Sequence, residues 1–151
     1  MKKFSKIMVP VEGLPRDDEV LRLASFVARQ DKATLLAIYV IEIQRTLPLE
    51  TENAPQIEQA ERVLQHAEQI TKQYGARADT DLLQARVAGP ALIDEATERA
   101  VDLIILGVPY REPLGELRLG DTASYVMKNA PCQVWLCREA FVGEPKPSQK
   151  P

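Results

Sequence analysis

The chain predicts a single α/β domain built on a parallel sheet covered by helices on both faces. Three observations carry that prediction. Short β-like runs alternate along the chain with longer helical ones, the pattern of strands joined by helical crossovers. Two of the short runs, Ile7-Met8-Val9-Pro10-Val11 and Val101–Leu106, are continuously apolar, as expected of strands buried on both faces. The length of 151 residues, with no internal repeat and no linker, suits one domain with a sizeable core.

Taken in order, Ile7–Val11 is the first central strand, with Pro10 placed near its end because proline removes a ladder donor. Gly13-Leu14-Pro15 turns the chain, and Asp17 and Asp18 give an acidic start to a helix. Val20, Leu23, Ala24, Val27 and Ala28 are its expected core positions. Thr34–Ile43 is the second strand, followed by a polar loop from Gln44 to about Ala54. The next helix has the clearest period, with Ile57, Ala60, Leu64, Ala67, Thr71 and Tyr74 on one stripe and Gly75 as its terminator. His66 falls one position off that stripe and reads as a solvated rim histidine.

Ala78–Val87 alternates polar and apolar residues, which predicts a third strand toward a sheet edge. Gly89-Pro90 opens a short helix through Ala100, with Pro90 suited to the first turn. Asp94 and Glu95 lie on its solvated face, and no paired carboxylates are expected at the carboxyl ends of the strands. Val101–Leu106, with Asp102 near its start, is the fourth strand, and Gly107–Leu119 is a loop. A helix over Asp121–Asn129 follows, with Asp121 as its N-cap, and Gln133–Cys137 is the last strand. Residues 1–140 thus form the domain, and the proline- and lysine-bearing stretch 141–151 is expected to be a disordered tail. Five strands and four helices in this sequence imply a flavodoxin-like, doubly wound sheet of order 3-2-1-4-5. Its ligand crevice lies where the strand order reverses, at Val11-Glu12-Gly13 and Leu106-Gly107-Val108.

Composition narrows the function. A net charge of −3 and a pI near 5.3 argue against a nucleic-acid partner. No apolar run approaches the ~18 residues that insertion into a membrane needs. Lys2, Lys3 and Lys6 precede only a short apolar run that ends at Glu12, so no secretory signal is expected. Cys132 and Cys137 are five apart around a strand, hence on opposite faces and unable to bond to each other. Two free thiols predict a cytoplasmic setting. No Ser–His–acid set, metal cluster or complete phosphate loop is present in the sequence, so no catalytic role is expected.

Four segments together resemble the universal stress protein family: Ile7–Gly13, Asp102–Gly107, Leu119-Gly120 and Ala130–Leu136. The resemblance runs from Lys6 to Arg138. It implies a dimer, a regulatory role in stress tolerance and, in a subset of members, ATP bound through a Gly-x2-Gly-x9-Gly-[Ser/Thr] pattern. Similar domains also accompany membrane transporters, which makes a transporter a candidate partner. On this chain Gly107 and Gly120 keep the first and third glycines, whereas Tyr110 and Asp121 replace the second glycine and the hydroxyl residue. Glu12 stands where the resemblance implies an aspartate, and Val40 where it implies an adenine-lining apolar residue.

A carboxylate at 121 repels phosphate by about 1 kcal/mol at ~4 Å in water and about 4 at a surface-like dielectric, which the helix dipole offsets by only about 0.3–1 kcal/mol. Arg111 and Arg118 are the cations available to rescue it. The expected site residues are therefore Glu12, Val40, Leu106, Gly107, Arg111, Gly120, Asp121 and Thr122. The leading expectation is a regulatory module with a degenerate nucleotide pocket, no resident cofactor and a homodimer through its last strand. An ATP- or AMP-binding sensor is the alternative, and a slow nucleotide hydrolase ranks third.

Overall fold

The computed structural model describes residues 3–110 and 119–140. Ile7, Met8 and Val9 of β1 (Lys6–Pro10) have no exposed surface, which places this strand at the centre of the sheet. Around it stand β2 (Thr34–Glu42), β3 (Ala78–Ala85), β4 (Leu103–Val108) and β5 (Gln133–Arg138). All four pairings are parallel, in the order β3-β2-β1-β4-β5, as the sequence predicts. The start of β1 is tied down by two acids: Asp31 accepts from the Phe4 amide at 2.8 Å, and Asp102 from those of Ser5 and Lys6 at 2.8 and 2.9 Å. Asp102 therefore precedes the fourth strand, which begins at Leu103 rather than Val101 and runs on to Val108.

The pleat divides the core in two. Ile7, Val9, Leu35, Ala37, Leu103 and Ile105 face α1 (Arg16–Asp31) and α2 (Ala54–Gln73). Met8, Leu36, Ile38, Ile104 and Leu106 face α3 (Ala88–Glu98) and α4 (Asp121–Asn129). Each of these side chains other than that of Ala37 contributes about 1.5–3 kcal/mol when taken from water. Gly89 lets the last two helices touch, since a Cβ there would stand 2.8 Å from that of Tyr125.

Several boundaries and faces differ from expectation. Helix α1 buries Leu21 and leaves Leu23 at the surface, a rotation of the core stripe toward the sheet. In α2, Val63 joins the buried stripe and Tyr74 drops out of it. Strand β3 stops at Ala85, and α3 ends at Glu98 because Ala100 adopts a left-handed φ of 55°. Asp121 is not an N-cap: Gly120 holds that position with φ 84° and ψ 164°, and Asp121 is the first helical residue, with no side-chain capping bond.

The two sheet edges are dressed differently. On β3, Gln84 donates to the carbonyls of Leu49 and Thr51 at 2.9 Å, and Arg86 donates to those of Ile43, Gln44 and Leu47. These bonds tie the 44–53 loop to the carboxyl end of β3. Strand β5 carries only half-buried Val134, Trp135, Leu136 and Cys137 between its exposed ends. Trp135 meets Phe4 edge-on at 5.6 Å, and its indole donates to Gln133. Both cysteines are free and half-buried, packed on opposite sides of the sheet. The 141–151 stretch lies outside the described residues.

Candidate functional site

Strand β1 ends at Pro10, four residues before the parallel register would carry it alongside the end of β2 at Glu42. That shortfall opens a crevice at the carboxyl ends of the strands, where doubly wound sheets place their ligands. The crevice has two lobes that share Pro10, Glu12 and Thr122.

The wider lobe is a cavity of about 500 Å³ between the end of β2 and the starts of α2 and α3. Val40, Ile41, Gln56, Gln59, Ala88 and Leu92 are among its walls. Two bonds hold the walls, one from Asn53 outside the cavity and one from Glu42 in its lining. Asn53 caps α2 by accepting from the Gln56 amide at 3.1 Å, and the Glu42 carboxylate accepts from the Ala88 amide at 2.9 Å. In a parallel ladder, backbone groups of alternate residues face the same neighbour. Ile38 accepts from the Val11 amide toward β1, and Ile43 donates to Ala85 toward β3. Val40 is even with Ile38, so its N–H and C=O face the gap beyond the end of β1, a donor and an acceptor side by side.

The narrower lobe, about 250 Å³, lies between the ends of β1 and β4 and the start of α4. Leu106, Gly107, Gly120, Asp121 and Thr122 line it, together with Glu12, Arg16 and Asp17. A Cβ at Gly107 would lie 3.0 Å from Val20 and 3.4 Å from the Arg16 stem, so glycine lets the arginine cross there. Arg16 donates to Glu12 at 3.2 Å and lies 4.0 Å from the Glu139 carboxylate. Asp17 is buried, and its Oδ2 accepts from the amides of Glu12, Gly13 and Leu14 at 3.1, 2.7 and 3.3 Å. Burial pushes its carboxyl above the ordinary value, against the three amides that pull it down. The acid thus shapes the turn after β1, in which Gly13 takes a φ of 81°.

Seven of the eight expected site residues line the crevice: Val40 the wide lobe, Leu106, Gly107, Gly120 and Asp121 the narrow one, Glu12 and Thr122 both. Arg111 lies outside the described residues, as does Arg118. Carboxylates do meet at the crevice, contrary to expectation, because Asp17 and Asp121 converge with Glu12 on one lobe. Arg16 and Asp17, which line the narrow lobe, were not legible as site residues, nor was Glu139 as a neighbour of Arg16. An acid at a helix start reads as a dipole partner, and Glu139 lies beyond the last strand with no local pattern. His66 is exposed on α2 and bonds Asp18 at 2.8 Å, outside both lobes. No group of three or more metal-binding side chains occurs among the described residues, and no helix there is long and apolar enough to cross a membrane.

Comparison with known proteins agrees with this architecture. A universal stress protein of Methanocaldococcus jannaschii is 25% identical over 142 residues, covering 90% of this chain and 83% of that one. The structure of the universal stress protein from Archaeoglobus fulgidus superposes with a TM-score of 0.77 at 26% identity, over 88% of this chain and 98% of that one. A second structure from Archaeoglobus fulgidus, in complex with dAMP, superposes at 0.72 with 23% identity, over 89% of this chain and 98% of that one. Residues 3–138 match the model of the Universal stress protein family, and the chain belongs to that family.

Proposed function

We propose that this chain is a non-catalytic regulatory module of the stress response whose crevice takes an adenine nucleoside or monophosphate in preference to ATP. The observation that carries the reading is the unequal crevice. Its wide lobe offers about 500 Å³, walled by Val11, Ile38, Ile41 and Leu92 as well as by Glu42, Gln56 and Gln59, beside the paired donor and acceptor of Val40. That pair matches the acceptor–donor edge of adenine. Glu12, at the junction of the lobes, is in reach of a ribose hydroxyl. The narrow lobe is half the volume, and Arg16 is the one cation among its described lining residues, against Glu12, Asp17 and Asp121. Three phosphates fit poorly there in both size and charge. The dAMP complex of the Archaeoglobus fulgidus relative supports a monophosphate-sized ligand.

The module works as a homodimer paired along β5. That edge is apolar and uncharged between its ends, whereas β3 carries Asp79 and Asp81 and is tied at its carboxyl end to the 44–53 loop, and antiparallel pairing of one strand with its copy closes on itself. A cytoplasmic location suits the two free thiols. A further protein partner, a membrane transporter among the candidates, would read the ligand state.

A thermal-shift series with adenosine, AMP and ATP, with and without Mg²⁺, tests the ligand. Adenosine and AMP are expected to stabilise the protein, by about 2.7 kcal/mol at a hundred times the dissociation constant, and ATP least. ATP stabilising as strongly as AMP would promote the sensor reading that includes triphosphate. Sedimentation of the same protein is expected to give a dimer, and a monomer at tens of micromolar would remove the β5 assembly.

A further inference from the structure

Arg138, the last residue of β5, and Glu139, the first after it, stand beside the segment that leaves β4, and Glu139 approaches Arg16 of the narrow lobe. The Glu139 amide donates to the Val108 carbonyl at 3.0 Å, extending the β4–β5 ladder by one bond beyond the Val108–Arg138 pair. This register fixes Glu139 beside the segment that leaves β4. Its Oε1 accepts from the Tyr110 amide at 3.1 Å and lies 4.0 Å from the Arg16 guanidinium. The Arg138 guanidinium stands over the Tyr110 ring, 4.9 Å from its centroid. Amides of the chain leaving a strand at this end of a sheet are the donors an anion uses, and a nearby arginine is its natural counter-charge.

We infer that Glu139 is a specificity-determining residue: the chain's own carboxylate takes up the donor and shares the cation that a phosphate group would use, and so biases the crevice toward unphosphorylated or singly phosphorylated ligands. The inference deepens the proposed adenine site and rests on that reading for the identity of the ligand, but not for the behaviour of the phosphate lobe. Glu139 acts at the lobe's rim, through Tyr110 and Arg16, and the core clusters do not include it. Two like-charged oxygens cannot use one amide at once. Phosphate must therefore displace Glu139 or bind without that donor.

The test uses inorganic phosphate as its probe, against chloride at equal ionic strength, on the whole chain and on Glu139→Gln and Glu139→Ala. Amide resonances of Tyr110, Gly120 and Thr122 report occupancy, and adenosine is titrated separately by calorimetry. Glu139→Gln removes the charge and keeps the shape, so it serves if the alanine variant folds poorly. Phosphate affinity is expected to rise at least tenfold in Glu139→Ala, less in Glu139→Gln, with adenosine affinity unchanged within twofold. Phosphate affinity equal in all three proteins overturns the inference, as does a Tyr110 amide resonance that Glu139→Ala leaves in place. A gain in phosphate binding with no adenosine binding anywhere upholds the role of Glu139 and removes only the adenine reading. Adenosine bound equally by all three with no gain in phosphate does the reverse.

Discussion

The wide lobe takes its walls from strand ends and helix starts that the core already needs. Leu92 is buried in the α3 contact, and Ile38 and Ile41 are buried in β2. The narrow lobe depends on side chains that the core could do without: Arg16 across Gly107, Asp17 under its turn, Glu139 on the Tyr110 amide. One lobe is therefore set by topology, and the other by a few polar residues that substitution can retune without refolding the chain.

The contrast is open to attack from both sides. The largest effect is expected in the wide lobe. Ala88→Phe places a ring in the cavity while the amide bond to Glu42 persists, since that bond uses the backbone. Adenosine affinity measured by calorimetry should fall about thirtyfold, equivalent to ~2 kcal/mol, and unchanged affinity would show that the ligand does not use this lobe. In the narrow lobe, a Cβ at Gly120 meets no atom of the described residues within 4 Å, so the cost of Gly120→Ala is that of the backbone at φ 84°. Urea unfolding should show a loss of about 1–3 kcal/mol, and a loss below ~0.5 would mean that the turn into α4 relaxes freely.

The smallest effect belongs to Asp121→Ser. Asp121 makes no capping bond, so the variant forfeits only its share of the helix dipole, about 0.3–1 kcal/mol. Removing one exposed carboxylate should improve AMP affinity about fivefold, in line with ~1 kcal/mol of repulsion in water, and leave adenosine affinity alone. An equal gain for both ligands would erase the distinction between the lobes.

How much of this was legible in the sequence follows the same division. The apolar runs of β1 and β4 announced a doubly wound sheet, and the place where their order reverses located the crevice before any coordinates. Helix phase was harder. Apolar residues at 20, 21, 23, 24, 26, 27 and 28 cover most of the circumference of α1, and only packing decides that Leu21 turns in while Phe26 turns out. Asp121 was misplaced by one residue because aspartate is a good N-cap, whereas the backbone at Gly120 reaches a conformation that only glycine takes easily. Asp17 and Glu139 were invisible because their partners are backbone amides, and an amide has no residue type to recognise.

The chain contains one tryptophan, and it sits on β5 against Phe4. Intrinsic fluorescence excited at the indole therefore comes from a single place, the half-buried edge two strands away from the centre of the sheet. A second chain laid along that edge would shield the indole and move its emission to shorter wavelength, while a ligand confined to the crevice would leave it in place. The unlabelled protein thus carries its own optical reporter for assembly, spectrally separate from the absorbance of any purine it binds.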